Sequence, residues 1–149
     1  MGPNGYSRAY GEVEEAGTMQ PYSKVLLLGG DEDWSVLEEM LAQYAVVTGV
    51  GKVSDALALL KEEDYDVLFC QGELADGTWR TVLEEIQNRR LEVPVIVFCH
   101  CGGEREWIEV LEAGAFDLLV PPYSAYQTMA VLEHALVSRR RIADCCLSA

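Results

Sequence analysis

Four apolar residues in a row, Val67-Leu68-Phe69-Cys70, stop at Gln71 and pass into Gly72-Glu73-Leu74-Ala75-Asp76-Gly77, a stretch rich in turn formers. A run without polar alternation does not suit a sheet with one wet face. It predicts a strand, Asp66 to Cys70, covered on both faces as in a parallel sheet flanked by helices. In open sheets of that kind, sites form in the crevice at the carboxyl ends of the strands. Gln71 therefore stands where a functional side chain is expected.

The same grammar repeats along the chain. Val25 to Leu28 form an apolar strand ending at Gly29-Gly30, and Tyr44 to Val50 a second. Pro94 precedes a fourth, Val95 to Cys99, and Phe116 to Val120 form a fifth before Pro121-Pro122. Between them, apolar residues recur at helical spacing: Trp34, Leu37 and Leu41; Ala56, Leu57 and Leu60; Trp79, Val82, Leu83 and Ile86; Trp107, Ile108 and Leu111; Met129, Leu132 and Leu136. Asp31, Glu32 and Asp33 place negative charge at the start of the first helix, and Arg139-Arg140-Arg141 place positive charge near the end of the last. Ser54 is the expected cap of the second helix, and Gly114 the residue that closes the fourth with a left-handed conformation. Five strands alternating with five helices predict an α/β fold, a doubly wound five-stranded parallel sheet with right-handed crossovers. Residues 1–22 lack either periodicity and are expected to be a flexible arm; 23–141 form the domain and 142–149 a tail.

The chain has 149 residues, enough for one domain with its own core, and 25 acidic against 11 basic residues give a net charge of -14. Phosphate binding needs clustered Lys and Arg, so a nucleic-acid partner is not expected. No apolar run approaches the roughly 20 residues that span a bilayer, and the N-terminus lacks a secretory pattern. A cytoplasmic address is expected, where the five cysteines are thiols.

In order and spacing, Leu74-Ala75-Asp76-Gly77, Val93-Pro94-Val95-Ile96-Val97, Leu111-Glu112-Ala113-Gly114-Ala115-Phe116-Asp117 and Leu119-Val120 before Pro122 resemble the receiver domain of two-component response regulators. The resemblance implies a sheet order of 2-1-3-4-5 and a cis bond between Pro121 and Pro122. Receivers accept a phosphoryl group on an aspartate at the end of the third strand. That chemistry needs an attacking carboxylate, Mg²⁺ over the phosphoryl oxygens, and a lysine and a hydroxyl to hold them. At the matched positions this sequence has Gln71 for the nucleophile, Gly29 and Gly30 for the acidic pair, Cys99 for the hydroxyl and Pro121 for the lysine. The aromatic switch position is Leu118. The resemblance thus implies a pseudo-receiver, not an enzyme and without a cofactor, that acts by contact with a signalling protein: a kinase, an output domain or another regulator. A homodimer is an alternative assembly. The expected contact face comprises Trp107, Val110, Leu111, Leu118, Tyr123 and Tyr126.

Two other readings use the same residues. The altered pocket of Gly29, Gly30, Gln71, Cys99 and His100 would sense a small ligand or a metal. Alternatively, a shifted carboxylate, Glu73 or Asp76, would accept the phosphoryl group. Cys99-His100-Cys101 and Cys70 carry zinc-ligand types, but no Cys-x-x-Cys pair accompanies them and a buried thiol serves as a small hydrophobe. No metal site is therefore expected. Cys145-Cys146 are read as part of the tail, and His134 as a solvated helix position. Trp79 and Trp107 suit either the core or a binding surface.

Overall fold

The computed structural model of the chain describes residues 23–99 and 104–148. In chain order the elements are β1 (Lys24–Leu28), α1 (Glu32–Ala42), β2 (Val46–Val50), α2 (Val53–Glu62), β3 (Val67–Gln71), β4 (Glu73–Leu74) and β5 (Gly77–Thr78). They continue with α3 (Trp79–Asn88), β6 (Val95–Phe98), α4 (Glu104–Glu112), β7 (Asp117–Leu119) and α5 (Ala125–Ser148). Five parallel strands lie in the order β2-β1-β3-β6-β7, and β4 and β5 make a separate antiparallel hairpin. With the hairpin left out, this is the order implied by the resemblance.

Side chains of successive strand residues point to opposite faces, so an unbroken apolar run supplies two cores at once. On one face Leu26, Leu28, Leu68, Cys70, Val95 and Val97 meet α2, α3 and α4 through residues such as Leu57, Val82, Ile86 and Val110. On the other, Val25, Leu27, Val67, Phe69, Ile96 and Phe98 meet α1 and α5 through Leu37, Leu41, Leu132 and Ala135. Each fully buried side chain of this size is worth about 1.5–3 kcal/mol relative to exposure.

The helix ends show where local sequence signals gave way to tertiary contacts. Asp31 caps α1, its Oδ1 accepting the Trp34 backbone N–H at 3.0 Å. Ser54, by contrast, lies inside α2. The N-cap residue is Lys52, whose side chain makes no capping bond. Gly114 follows α4 with φ +111 as expected, and the Pro121–Pro122 bond is cis. The predicted tail from 142 gives way to helix, because α5 continues to Ser148 and the sequence offers no Gly or Pro to stop it. At 24 residues, α5 is about 36 Å long.

Candidate functional site

β3 delivers Gln71 to the carboxyl edge of the sheet, paired with Phe98 of β6 and one residue beyond the Leu28–Cys70 pair with β1. Both ends of its carboxamide are engaged there. Oε1 accepts the backbone N–H groups of Gly30 at 2.9 Å and Asp31 at 3.4 Å. Nε2 donates to the Glu73 carbonyl at 3.2 Å. Gly29, at φ +154, lies against this side chain: a Cβ there would stand 2.9 Å from Gln71 Cβ and closer still to Oε1. Such backbone geometry is nearly confined to glycine. Gly30, one residue on, has nothing within 4 Å of a built Cβ.

Cys99 follows β6 and meets the same edge. A Cβ at Gly72 would lie 2.9 Å from that of Cys99, so the turn after β3 packs directly on Cys99. The Cys99 thiol points at Glu106 Oε2, 3.8 Å away. Gln71 and Cys99 line a cleft of about 670 Å³, together with the carboxylates of Asp31, Glu73 and Glu106 and the guanidinium of Arg80. Arg80 stacks on Trp79 with its charge 4.6 Å from the ring centre and reaches Glu109 at 3.6 Å. Three carboxylates against one already paired cation make the cleft acidic, a field that disfavours anions. Pro121 follows β7 and is not among the residues lining the cleft, while His100 and Cys101 lie outside the described residues.

Cys70 points away from the cleft into the core, where burial pushes its thiol pKa well up. Among the described residues no group of three or more Asp, Glu, His or Cys is disposed to hold a metal ion. Asp76 has a structural role, because its oxygens accept the backbone N–H groups of Val53 at 2.7 Å and Ser54 at 3.2 Å and so close the start of α2. These bonds, Val53 first, hold its carboxyl below its ordinary pKa. Sequence reasoning placed Asp33 at the entrance of α1 and missed its contact. It is 8% exposed and accepts the Tyr123 O–H at 3.0 Å, and burial together with this carboxylate pushes the Tyr123 pKa up.

The profile of the response regulator receiver domain matches residues 34–133. The chain belongs to that family. Among curated relatives, this receiver domain is 30% identical to the response regulator protein PilR of Pseudomonas aeruginosa over 123 residues, 81% of the chain and 28% of the relative. It is 29% identical to the transcriptional regulatory protein ZraR of Salmonella typhimurium over 86 residues, 58% of the chain and 20% of the relative. The chain thus spans between a fifth and three tenths of these relatives. The fold matches the signal receiver domain of an HD domain-containing protein from Pseudomonas fluorescens Pf-5 with a TM-score of 0.75 and 17% identity, covering 86% of this chain and 96% of that one. The receiver domain of a LuxO repressor protein from Vibrio parahaemolyticus matches at 0.74 with 18% identity, over 84% and 97%.

The receiver's α4, β7 and α5 present only part of the contact face expected from the sequence. Trp107 is 44% exposed and Tyr126 85%, and Ile108 joins them at 42%. Leu111 and Tyr123 are half-buried. Val110 and Leu118, at 0% and 8%, must be struck from the face, because they fill the core between α4 and the sheet. Along α4 the buried residue is Val110, flanked on the inward side by the half-buried Glu106 and Ala113, a stripe that the larger Trp107 and Ile108 outweigh in the sequence pattern. The two tryptophans split: Trp79 is core at 8% exposure, whereas Trp107 stands at the surface and donates from Nε1 to Asp117 at 3.3 Å.

Proposed function

We propose that this receiver domain signals by protein contact, without phosphoryl transfer at the end of β3 and without catalysis of its own. The observation that carries the reading is the Gln71 carboxamide, which fills the nucleophile position and spends both ends on backbone groups. A neutral amide does not form an acyl phosphate. The surrounding residues also do not fit Mg²⁺. Gly29 and Gly30 bring no ligand, and the Asp31 carboxylate is occupied in capping α1. Of the two shifted carboxylates, Glu73 and Asp76, the second is held by α2. The partner is a signalling protein (a kinase, an output domain or another regulator) or a second copy of the chain, in the cytoplasm and without nucleic acid. It is expected at Trp107, Ile108 and Tyr126, flanked by Leu111 and Tyr123. No helix among the described residues is long and apolar enough to cross a membrane.

The test has two arms. Beryllofluoride with Mg²⁺ is expected to give no saturable amide shifts at Gln71 and Cys99; saturable shifts confined to these positions would sink the reading. In pull-downs, Trp107→Ala and Tyr126→Ala are expected to lose the partner with the melting curve unchanged. Val110→Ala, by contrast, costs stability, about 1–3 kcal/mol for a buried valine. Undiminished capture by a Trp107→Ala, Tyr126→Ala double variant removes this face from the proposal.

A further inference from the structure

We infer that Gln71 is an internal latch coupling the cleft to the start of α5 through the first turn of α1. The connection is a run of hydrogen bonds. From the Glu73 carbonyl it passes through Gln71 Nε2 and Oε1 to the backbone of Gly30 and Asp31. Asp31 carries it into α1 by capping Trp34 at 3.0 Å. In that same turn, Asp33 accepts the O–H of Tyr123, which stands two residues before α5. The Trp34 indole fixes the turn against the sheet, with Nε1 donating to the Leu27 carbonyl at 3.1 Å and its ring packed on Gly49.

Each joint is stiff for a physical reason. Breaking the Tyr123 bond takes one donor from a buried carboxylate, where a charge-assisted bond is worth more than at the surface. Gln71 is confined by three polar contacts and by Gly29 beneath it. The two states of the device are the carboxamide bonded over Gly30 and the carboxamide swung into the cleft. A molecule that competes for Oε1 or Nε2 shifts the balance between them, and α1 carries the change to Tyr123. This deepens the proposed function, since it supplies a way for the cleft to speak to α5 without phosphorylation. The test reads neither partner capture nor phosphorylation, so either idea can fail alone.

The test is amide hydrogen exchange on the wild-type chain, Gln71→Met, Tyr123→Phe and the double variant. Methionine keeps the bulk over Gly29 and removes every hydrogen bond. Gln71→Met is expected to speed exchange about tenfold at Trp34 and at Thr128 in the first turn of α5, the loss of roughly one hydrogen bond, with Ile86 in α3 unchanged. Tyr123→Phe is expected to speed Gly30 and Asp31 from the other end. The double variant is expected to show less than the product of the single effects. An effect that stops at Gly30 and Asp31, a rise at Ile86 as large as at Thr128, or independent multiplication of the two effects overturns the latch. Should Gln71→Met fail to fold, Tyr123→Phe alone decides: no response at Gly30 and Asp31 refutes it.

Discussion

Substituting alanine at Gly29 and at Gly30 should give opposite results, although the two glycines are neighbours. Gly29 is in a positive-φ conformation, +154, and a Cβ there meets Gln71 Cβ at 2.9 Å. Holding a non-glycine residue in that region costs about 1–3 kcal/mol, and forcing extra volume into a packed contact about 1–3 kcal/mol more. Gly29→Ala is therefore expected to lose about 2–6 kcal/mol, a large part of the 5–15 kcal/mol that ordinarily separates folded from unfolded domains. At Gly30 a Cβ meets nothing within 4 Å, and Gly30→Ala is expected to stay within about 0.5 kcal/mol of wild type. Urea denaturation, with the slope checked for constancy, measures both.

A double variant separates the two costs. Gln71→Gly removes the Cβ that the new alanine methyl would strike, so in that background the packing share of the Gly29→Ala cost should shrink to the contact with Trp34 Cδ1, 3.0 Å from the built Cβ, while the backbone share stays. The expected coupling between the positions is up to about 3 kcal/mol, the upper end of the overpacking cost. Should Gly29→Ala prove no worse than Gly30→Ala, Gln71 does not lie over Gly29, and the site geometry is wrong.

Two further expectations follow from the same residues. Gln71→Asp alone should show no acyl phosphate after acetyl phosphate treatment, because Gly29 and Gly30 bring no acidic pair to seat Mg²⁺; labelling at residue 71 would refute the assignment of the metal position. The depressed pKa of Asp76 means that its bonds to α2 stabilise the fold above the ordinary carboxylate range and are lost as pH falls through the folded pKa, below about pH 4. Asp76→Asn should flatten that acid limb of the stability curve and speed exchange at Val53 and Ser54, and an unchanged limb would show that Asp76 does not hold α2.

The sheet was legible because its interior strands are buried on both faces, which removes any need for polar alternation. Val25–Leu28, Val67–Cys70 and Val95–Phe98 are all buried, and their runs stand out in the sequence. The β4–β5 hairpin was not legible, since two residues per strand carry no periodicity. The start of α2 was misread for a different reason. Ser54 has the chemistry of a cap, but the bonds come from Asp76, 22 and 23 residues away, and local sequence does not report distant acceptors. α4 shows the limit of counting apolar residues. Trp107 and Ile108 outweigh Val110 in hydrophobic area, yet the nine-residue helix turns its smallest apolar stripe to the sheet. At the site itself, the resemblance pointed to Gln71 and Cys99, which line one cleft, but not to the contacts that tie Gln71 to Gly30 and Tyr123 to Asp33.

Those contacts bear on how the site's residues depend on one another. Gln71 needs Gly29 beneath it, because any Cβ at 29 meets its side chain, and Gly72 is needed beside Cys99 for the same steric reason. Gly30 is sterically free, but its N–H is what Gln71 holds. These five residues therefore form an interlocked packing solution rather than separate vacancies in a reactive pocket. A carboxylate introduced at 29 is blocked while Gln71 remains, whereas one at 30 meets no obstacle. Replacing Gln71 by a shorter acid removes the tie on the β1–α1 turn before any metal is present to substitute for it. An acid at 30 can come first, but an acid at the end of β3 replaces Gln71 and passes through a loosened β1–α1 turn, and that tie makes Gln71, more than either glycine, the residue on which the character of the site depends.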